Sequence, residues 1–394
     1  MKPAWATKRL EEVAELVNGR AFKPTEWQAE GLPIIRIQNL NDRSAPFNYH
    51  PGPLPEKFRV HRGDILLSWS GTPGTSFGCF EWGGSDAWLN QHIFNVKLSA
   101  DVVPGFFVHQ LNSKLSELIA KAHGGVGLQH VTKGVLEGLT LALPPVSDQH
   151  RIVSLLDEAD ELRRRREQAD RRTADLIPAL FYEMFGEPLK GQQRWDYKTL
   201  GDVLSAIDSG WSPSCPDRVA APNEWGVLKL GAVTSCRYLQ NENKALPDDV
   251  ESRPGLEVKA GDILFTRKNT HELVAACALV ASTRPRLMLS DLIFRLRISG
   301  DAEVIPEYLW ALMVNEVMRR GVQRLASGSA GSMPNISKQR LRGVSIPVPP
   351  LLLQCQFAAR VAEIRALEAL QAESRRRLDD LFQSMLHRAF QGEL

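Results

Sequence analysis

Short apolar runs that favour extended structure recur through the first part of the chain, each bounded by Gly, Pro, Asn and Ser. They are Leu32-Pro33-Ile34-Ile35-Arg36-Ile37, Asp64-Ile65-Leu66-Leu67-Ser68 and Ile93-Phe94-Asn95-Val96-Lys97-Leu98. The period then changes. Phe106, Phe107, Leu111, Leu115 and Leu118 share roughly one face of a helix predicted over 104–122, and 306–325 reads the same way. Beyond Pro144-Pro145 the apolar positions Ile152, Leu155, Ala159, Leu162, Ala169, Leu176 and Leu180 fall on an alternating three–four grid. That grid predicts the heptad seam of a coiled coil, interrupted at Arg166 and Thr173 and kinked at Pro178. Ile364, Leu367, Leu378, Leu381 and Met385 lie on a similar grid, with Gln371 and Ser374 as its weak points. Each stripe needs a cover, and the other helix offers one if the two run antiparallel. At 1.5 Å per residue the segment from Gln149 to Phe185 would be about 55 Å long.

The second half of the chain restates the first. Trp5, Leu10, Val13 and Gly19 return as Trp195, Leu200, Val203 and Gly210, and Ile35-Arg36-Ile37 as Leu228-Lys229-Leu230. Val60-x-x-Gly63-Asp64-Ile65-Leu66 returns as Val258-x-x-Gly261-Asp262-Ile263-Leu264, Ile93-Phe94 as Ile293-Phe294, and Pro104 as Pro306. Val131-Thr132-Lys133 matches Ile336-Ser337-Lys338, Leu143-Pro144-Pro145 matches Val348-Pro349-Pro350, Gln149 matches Gln354, and Phe185 matches Phe390. The offset drifts from about 190 to about 205 residues, as loop insertions produce. A repeat of that length means two copies of one domain rather than a solenoid. The expected class is α+β: two repeated α/β domains, 1–145 and 191–347, joined by two long antiparallel coiled-coil helices within 146–190 and 348–394.

Composition narrows the chemistry. Hydrophobic content of 43% and charged content of 24% are those of a folded soluble protein, and no apolar run has the length of a membrane helix. Met1-Lys2-Pro3-Ala4-Trp5 lacks the apolar stretch of a signal peptide. Five scattered cysteines (Cys79, Cys215, Cys236, Cys277, Cys355) fit a reducing cytoplasm better than a disulfide framework or a zinc site. The net charge of +2 decides nothing. Gly71-Thr72-Pro73-Gly74-Thr75 lacks the lysine of a phosphate-binding loop and reads as a turn. Asp248, Asp249 and Glu257-Val258-Lys259 loosely resemble a metal-dependent nuclease signature. The matching Arg59-Val60-His61 makes the segment a strand leading into Gly-Asp instead. Nine scattered histidines show no metal-ligand spacing.

Two globular halves, each with a Gly-Asp-Ile-Leu element and each closed by Pro-Pro-x-x-x-Gln (144–149 and 349–354), resemble the specificity subunits of type I restriction–modification systems along essentially the whole chain. The second helix departs by starting Gln356-Phe357 where the first has Arg151-Ile152. The resemblance implies two target-recognition domains, each reading half of a split site in double-stranded DNA, with the helices setting the spacing. It implies docking to two methylation subunits and to restriction subunits, with S-adenosylmethionine, ATP and magnesium held by those partners and no cofactor, metal or catalysis in this chain. Two other readings stand beside it: the recognition portion of a self-contained restriction–methylation enzyme, disfavoured because no Asp/Asn-Pro-Pro-Tyr/Phe motif is present, and a tandem protein-binding scaffold.

Arg and Lys suit phosphate contact, and Arg, Asn, Gln and Ser suit base edges. In the first domain the candidates are Arg20 and Lys23 after Gly19, then Arg36, Gln38 and Asn39 leaving a strand. Gln129, His130, Thr132 and Lys133 follow Gly124-Gly125-Val126-Gly127. In the second they are Lys229, Arg267, Lys268 and Asn269, with Asn335, Ser337 and Lys338 after Gly328-Ser329-Ala330-Gly331. Ser68, Ser70 and Asn90 are secondary candidates. Arg163-Arg164-Arg165-Arg166 with Arg171-Arg172 is the densest charge run. It fits phosphate contact, a solvated flank paired with Glu158, Glu161 and Glu167, or a docking face, and the interleaved acids favour the last two.

Overall fold

The computed structural model describes residues 5–42, 44–71, 76–120, 123–125, 128–188, 195–328 and 333–394, with the backbone alone for 123–125, 128 and 129. Met1–Ala4, Thr72–Thr75 of the expected turn, Val126-Gly127, Ser329-Ala330-Gly331 and the Gln129 side chain lie outside that description. The chain divides into two units: Met1–Glu167 with Glu373–Leu394, and Gln168–Ala372.

In the first unit an antiparallel sheet runs in the order Ala14–Asn18, Ile93–Leu98, Ile65–Ser68, Gly78–Glu81. Successive side chains of a strand face opposite ways. Ile65, Leu67, Phe94 and Val96 therefore pack with Phe107 and Leu111 of the helix Pro104–Ser113. Leu66 and Ile93 pack on the other side with Ile35, Ala87 and Leu89 of a smaller sheet, in which Leu32–Ile35 and Ala87–Leu89 run parallel. The second unit repeats this plan. Its sheet orders Leu204–Ser209, Ile293–Ile298, Ile263–Thr266, Cys277–Leu279, with Gly226–Leu228 parallel to Leu287–Met288 beside it. The helices expected over 104–122 and 306–325 are each two pieces, Pro104–Ser113 with Leu115–Ala120 and Pro306–Val314 with Glu316–Gln323. The Asn315 side chain caps the last of these.

Both repeated motifs are structural. Gly63 and Gly261 have φ of 91° and 90°, open to glycine at no steric cost. The Asp that follows folds back on the turn. Asp64 accepts from the His61 N–H and Asp262 from the Lys259 N–H, both at 2.9 Å. The Pro-Pro-x-x-x-Gln glutamines are fully buried. Gln149 Nε2 donates to the carbonyls of Pro144 and Asp101 at 2.9 Å, and its Oε1 accepts from Val103 N at 2.8 Å. Gln354 repeats the pattern with Pro349 (2.7 Å), Glu303 (2.8 Å) and Ile305 (3.1 Å). One amide thus ties the start of each long helix to the loop before the domain's main helix, satisfying three backbone groups that would be costly to bury alone.

The long helices are Val146–Ala174, Leu176–Phe185 and Leu351–Phe390. The break falls at Asp175 rather than at Pro178 itself. A proline has no N–H to give the carbonyl four residues back, here that of Ala174, so the ladder fails one turn early. Within each unit the segments pair antiparallel. Arg163 meets Asp379 while Ile152 and Leu156 meet Ala389 in the first, and Thr173 meets Gln371 while Phe181 and Phe185 meet Phe357 in the second.

The seam corrects the expected one. Ile152, Ala159, Thr173 and Leu180 face inward as expected, but the intervening positions are Leu156, Arg163 and Ile177, one residue later than Leu155, Leu162 and Leu176. Leu162 and Leu176 are 45% and 43% exposed, and Leu367 and Leu381 stand outside in the same way. The expected grid followed the leucines. The helices instead place polar residues mid-seam, where Arg163 lies 4.5 Å from the Phe382 ring centroid with its Nε 2.8 Å from Asp379 Oδ1. Arg164 and Arg165 pair along the helix with Asp160 and Glu161, as a solvated flank does.

Candidate nucleic-acid interface

In the first domain the three candidate clusters converge on the turn Asn90-Gln91-His92, which joins the parallel strand Ala87–Leu89 to the central strand Ile93–Leu98. Arg20 N donates to Leu89 O at 2.8 Å, and Asn90 N donates to Ile35 O at 3.2 Å beside Arg36. Trp69 N reaches His92 O at 3.4 Å, and Val131 N, between His130 and Thr132, reaches Trp69 O at 3.0 Å. Gly19 makes the approach possible, because a Cβ there would lie 2.2 Å from Asn90 O; Gly210 has the same relation to Leu289 O at 2.3 Å. Burial, then the charges of His130 and Arg36, hold the His92 imidazole below its ordinary range. Trp69 stacks on Phe94 at 5.6 Å and tilts against His92 at 5.8 Å. Gln91, His92 and Trp69 belong to this surface and were not among the sequence candidates. Their place is set by a turn between strands, which leaves no spacing signature.

The candidates differ in what they have free. Lys23, Gln38, His130, Thr132 and Lys133 are exposed. Arg20 is tied to Glu26 and lies 4.9 Å from the Phe22 ring, Arg36 lies 5.5 Å from the Trp27 ring, and Lys133 Nζ is 3.4 Å from Glu137. Asn39 is turned inward. It accepts from Arg36 N and donates to the carbonyls of Ala45 and Pro46, so it holds the loop that presents Arg36 and Gln38. Ser68 and Ser70 are buried, Ser68 spent on the Ser76 and Gly78 carbonyls.

In the second domain Arg267 occupies the place of Trp69. Its N donates to Leu292 O at 3.0 Å and its O accepts from Ile336 N at 2.8 Å. Its guanidinium lies 5.0 Å from the Phe294 ring, its Nε donates to Asn335 Oδ1 at 3.1 Å, and Lys338 Nζ lies 5.6 Å from the same ring. Lys268 bridges to Asn335 through the backbone, and Ser337 caps the helix Lys338–Arg342. Asn269 is buried against Thr234 and Thr270, and Lys229 is paired with Glu242 at 3.2 Å, which leaves both outside this cluster. Arg267, Lys268 and Lys338 have no ion-pair partner among the described residues. Glu257 of the nuclease-like signature accepts from Arg286 N, and no group of three or more potential metal ligands occurs among the described residues.

Residues 3–169 match the type I restriction modification DNA specificity domain. The specificity subunit of the type I restriction enzyme EcoEI of Escherichia coli is 35% identical over 198 residues, half of this chain but only 32% of that protein. That of EcoBI from the same organism is 24% identical over 99% of this chain and 86% of its own length. A crystal structure of the type I S subunit from M. genitalium superposes with a TM-score of 0.57 at 13% identity, covering 98% of this chain and 96% of that one, which shows a shared fold. The duplicated domain, its glutamine-locked helices and these likenesses agree in one respect: the chain is similar to type I restriction–modification specificity subunits, and its residues 3–169 match their DNA specificity domain.

Proposed function

We propose that this chain is the non-catalytic DNA-reading subunit of a type I restriction–modification complex, with 1–145 and 191–347 as its recognition domains and 146–190 and 348–394 as its spacer segments. Each domain reads one half of a bipartite site in double-stranded DNA. The observation that carries this is the pair Arg267 and Lys338 at the Phe294 ring, with Lys268 next in the chain, none of them with an ion-pair partner among the described residues. The like charges of Arg267 and Lys338 beside one ring repel unless a polyanion joins them, and duplex DNA supplies one. The proposed contact set is Arg20, Lys23, Arg36, Gln38, His130, Thr132 and Lys133 with Gln91 and His92 in the first domain. In the second it is Arg267, Lys268, Asn335, Ser337 and Lys338. Gln129 is carried as a candidate from its position in the chain.

The exposed leucines beside the seam, Leu162, Leu176, Leu367, Leu370 and Leu381, suit a protein partner better than water. In this reading they dock the methylation subunits, which bring S-adenosylmethionine, while restriction subunits bring ATP and magnesium. No described helix is long and apolar enough to cross a membrane, and the reading places the protein in the cytoplasm. Co-expression with a partner methylation subunit, followed by single-molecule sequencing for modified adenines, tests it. A motif of two short blocks around a fixed gap is expected, and a continuous motif would overturn the two-domain reading.

A further inference from the structure

We infer that Arg267 reads a guanine in the half-site bound by the second domain; the inference rests on the DNA-reading function proposed above. The side chain is held before any ligand arrives. Its backbone is fixed on both sides by Leu292 and Ile336, its plane lies by the Phe294 ring, and its Nε is committed to Asn335 Oδ1. That leaves Nη1 and Nη2, the two terminal donors, with no acceptor among the described residues. A paired set of donors at fixed separation matches the O6 and N7 acceptors on the major-groove edge of guanine, and no other base presents two acceptors there. A phosphate contact does not require such fixing, and Lys338 already brings a point charge to the same ring. In the first domain the equivalent residue is Trp69, which has one indole donor and no fork, so this position imposes no guanine on the other half-site.

The test uses the complex with its methylation subunit and maps modified adenines for the wild type, Arg267→Ala and Arg267→Met. The wild type is expected to show a split motif with an invariant guanine in one block. Both variants are expected to make that single position degenerate, methylating sites with other bases there at least tenfold more often and leaving the second block unchanged. An unchanged motif, or a uniform loss of methylation at every site as a phosphate contact would give, overturns the inference. Absence of any split motif in the wild type overturns the underlying function instead. Should neither variant fold, wild-type binding to duplexes with 7-deazaguanine at each guanine in turn decides the matter. One position in one block should weaken binding about tenfold, and no sensitive position would sink the assignment.

Discussion

The two repeated domains share one backbone plan and hold it with different chemistry. In the first, Asp64 of the Gly-Asp turn is met by Asn95 and by Lys97, at 2.9 Å each, around a largely neutral centre. In the second, the position of Asn95 is taken by Arg295, 3% exposed. It bonds Asp208, Asp262 and the carbonyls of Glu257 and Gly255. Their outer surfaces diverge as well. A stacked tryptophan with ion-paired Arg20 and Lys133 marks the first, and Arg267 and Lys338 at one ring, without an ion-pair partner among the described residues, mark the second. A scaffold fixed by Gly-Asp turns and glutamine locks tolerates these exchanges, so a domain can change its interior polarity and its surface without changing its fold.

The contrast is sharpest at Arg295. Arg295→Met leaves Asp208 and Asp262 without their buried partner and should cost about 3–5 kcal/mol. Asn95→Leu, which removes one hydrogen bond to Asp64, should cost about 1–2 kcal/mol. Urea denaturation of the two variants checks this, and equal losses would break the comparison. The locks should instead behave alike: Gln149→Leu and Gln354→Leu each orphan two carbonyls and one N–H, for about 2–3 kcal/mol apiece in the same assay.

A smaller effect concerns acid. Burial pushes the Asp64 carboxyl up, but the His61 N–H, Lys97 and Asn95 more than offset it and hold it below its ordinary value of 3.8. Its contribution to stability is therefore full above that value and lost as pH falls through the lower folded one. Asp64→Asn should flatten the loss of stability below about pH 4, read as thermal melting against pH. The least effect is on salt dependence. Lys338→Ala should lower the slope of log binding against log salt by about one unit. Lys133→Ala, whose ammonium already faces Glu137, should lower it less.

The repeat, the central strands and the two long helices were legible in the chain because each rests on local pattern. Ile93–Leu98 runs over the residues its β-favouring run predicts, and Gln149 and Gln354 were visible as a matched pair although their buried bonds were not. The seam was misjudged by one residue in alternate positions, because apolarity favoured Leu155 and Leu162 while packing selected Leu156 and Arg163. Of the surface candidates, Asn39 and Asn269 proved to be inward-facing, a property set by loops closing in three dimensions. His92 and Trp69 escaped notice because their place depends on strands distant in sequence.

The first unit includes residues 373–394, far from the rest of it in sequence. Phe390 packs on Phe106 at 5.6 Å, and Ala389 is buried with Ile152 and Leu156. The second unit, Gln168–Ala372, is continuous in sequence. Synthesis proceeds from the N-terminus at roughly 5–20 residues per second, so the domain made first is the one completed last. Until residues 373–394 leave the ribosome, its helix face with Phe106 stays uncovered. A nonsense mutation within codons 373–394 would then injure the first unit and spare the second.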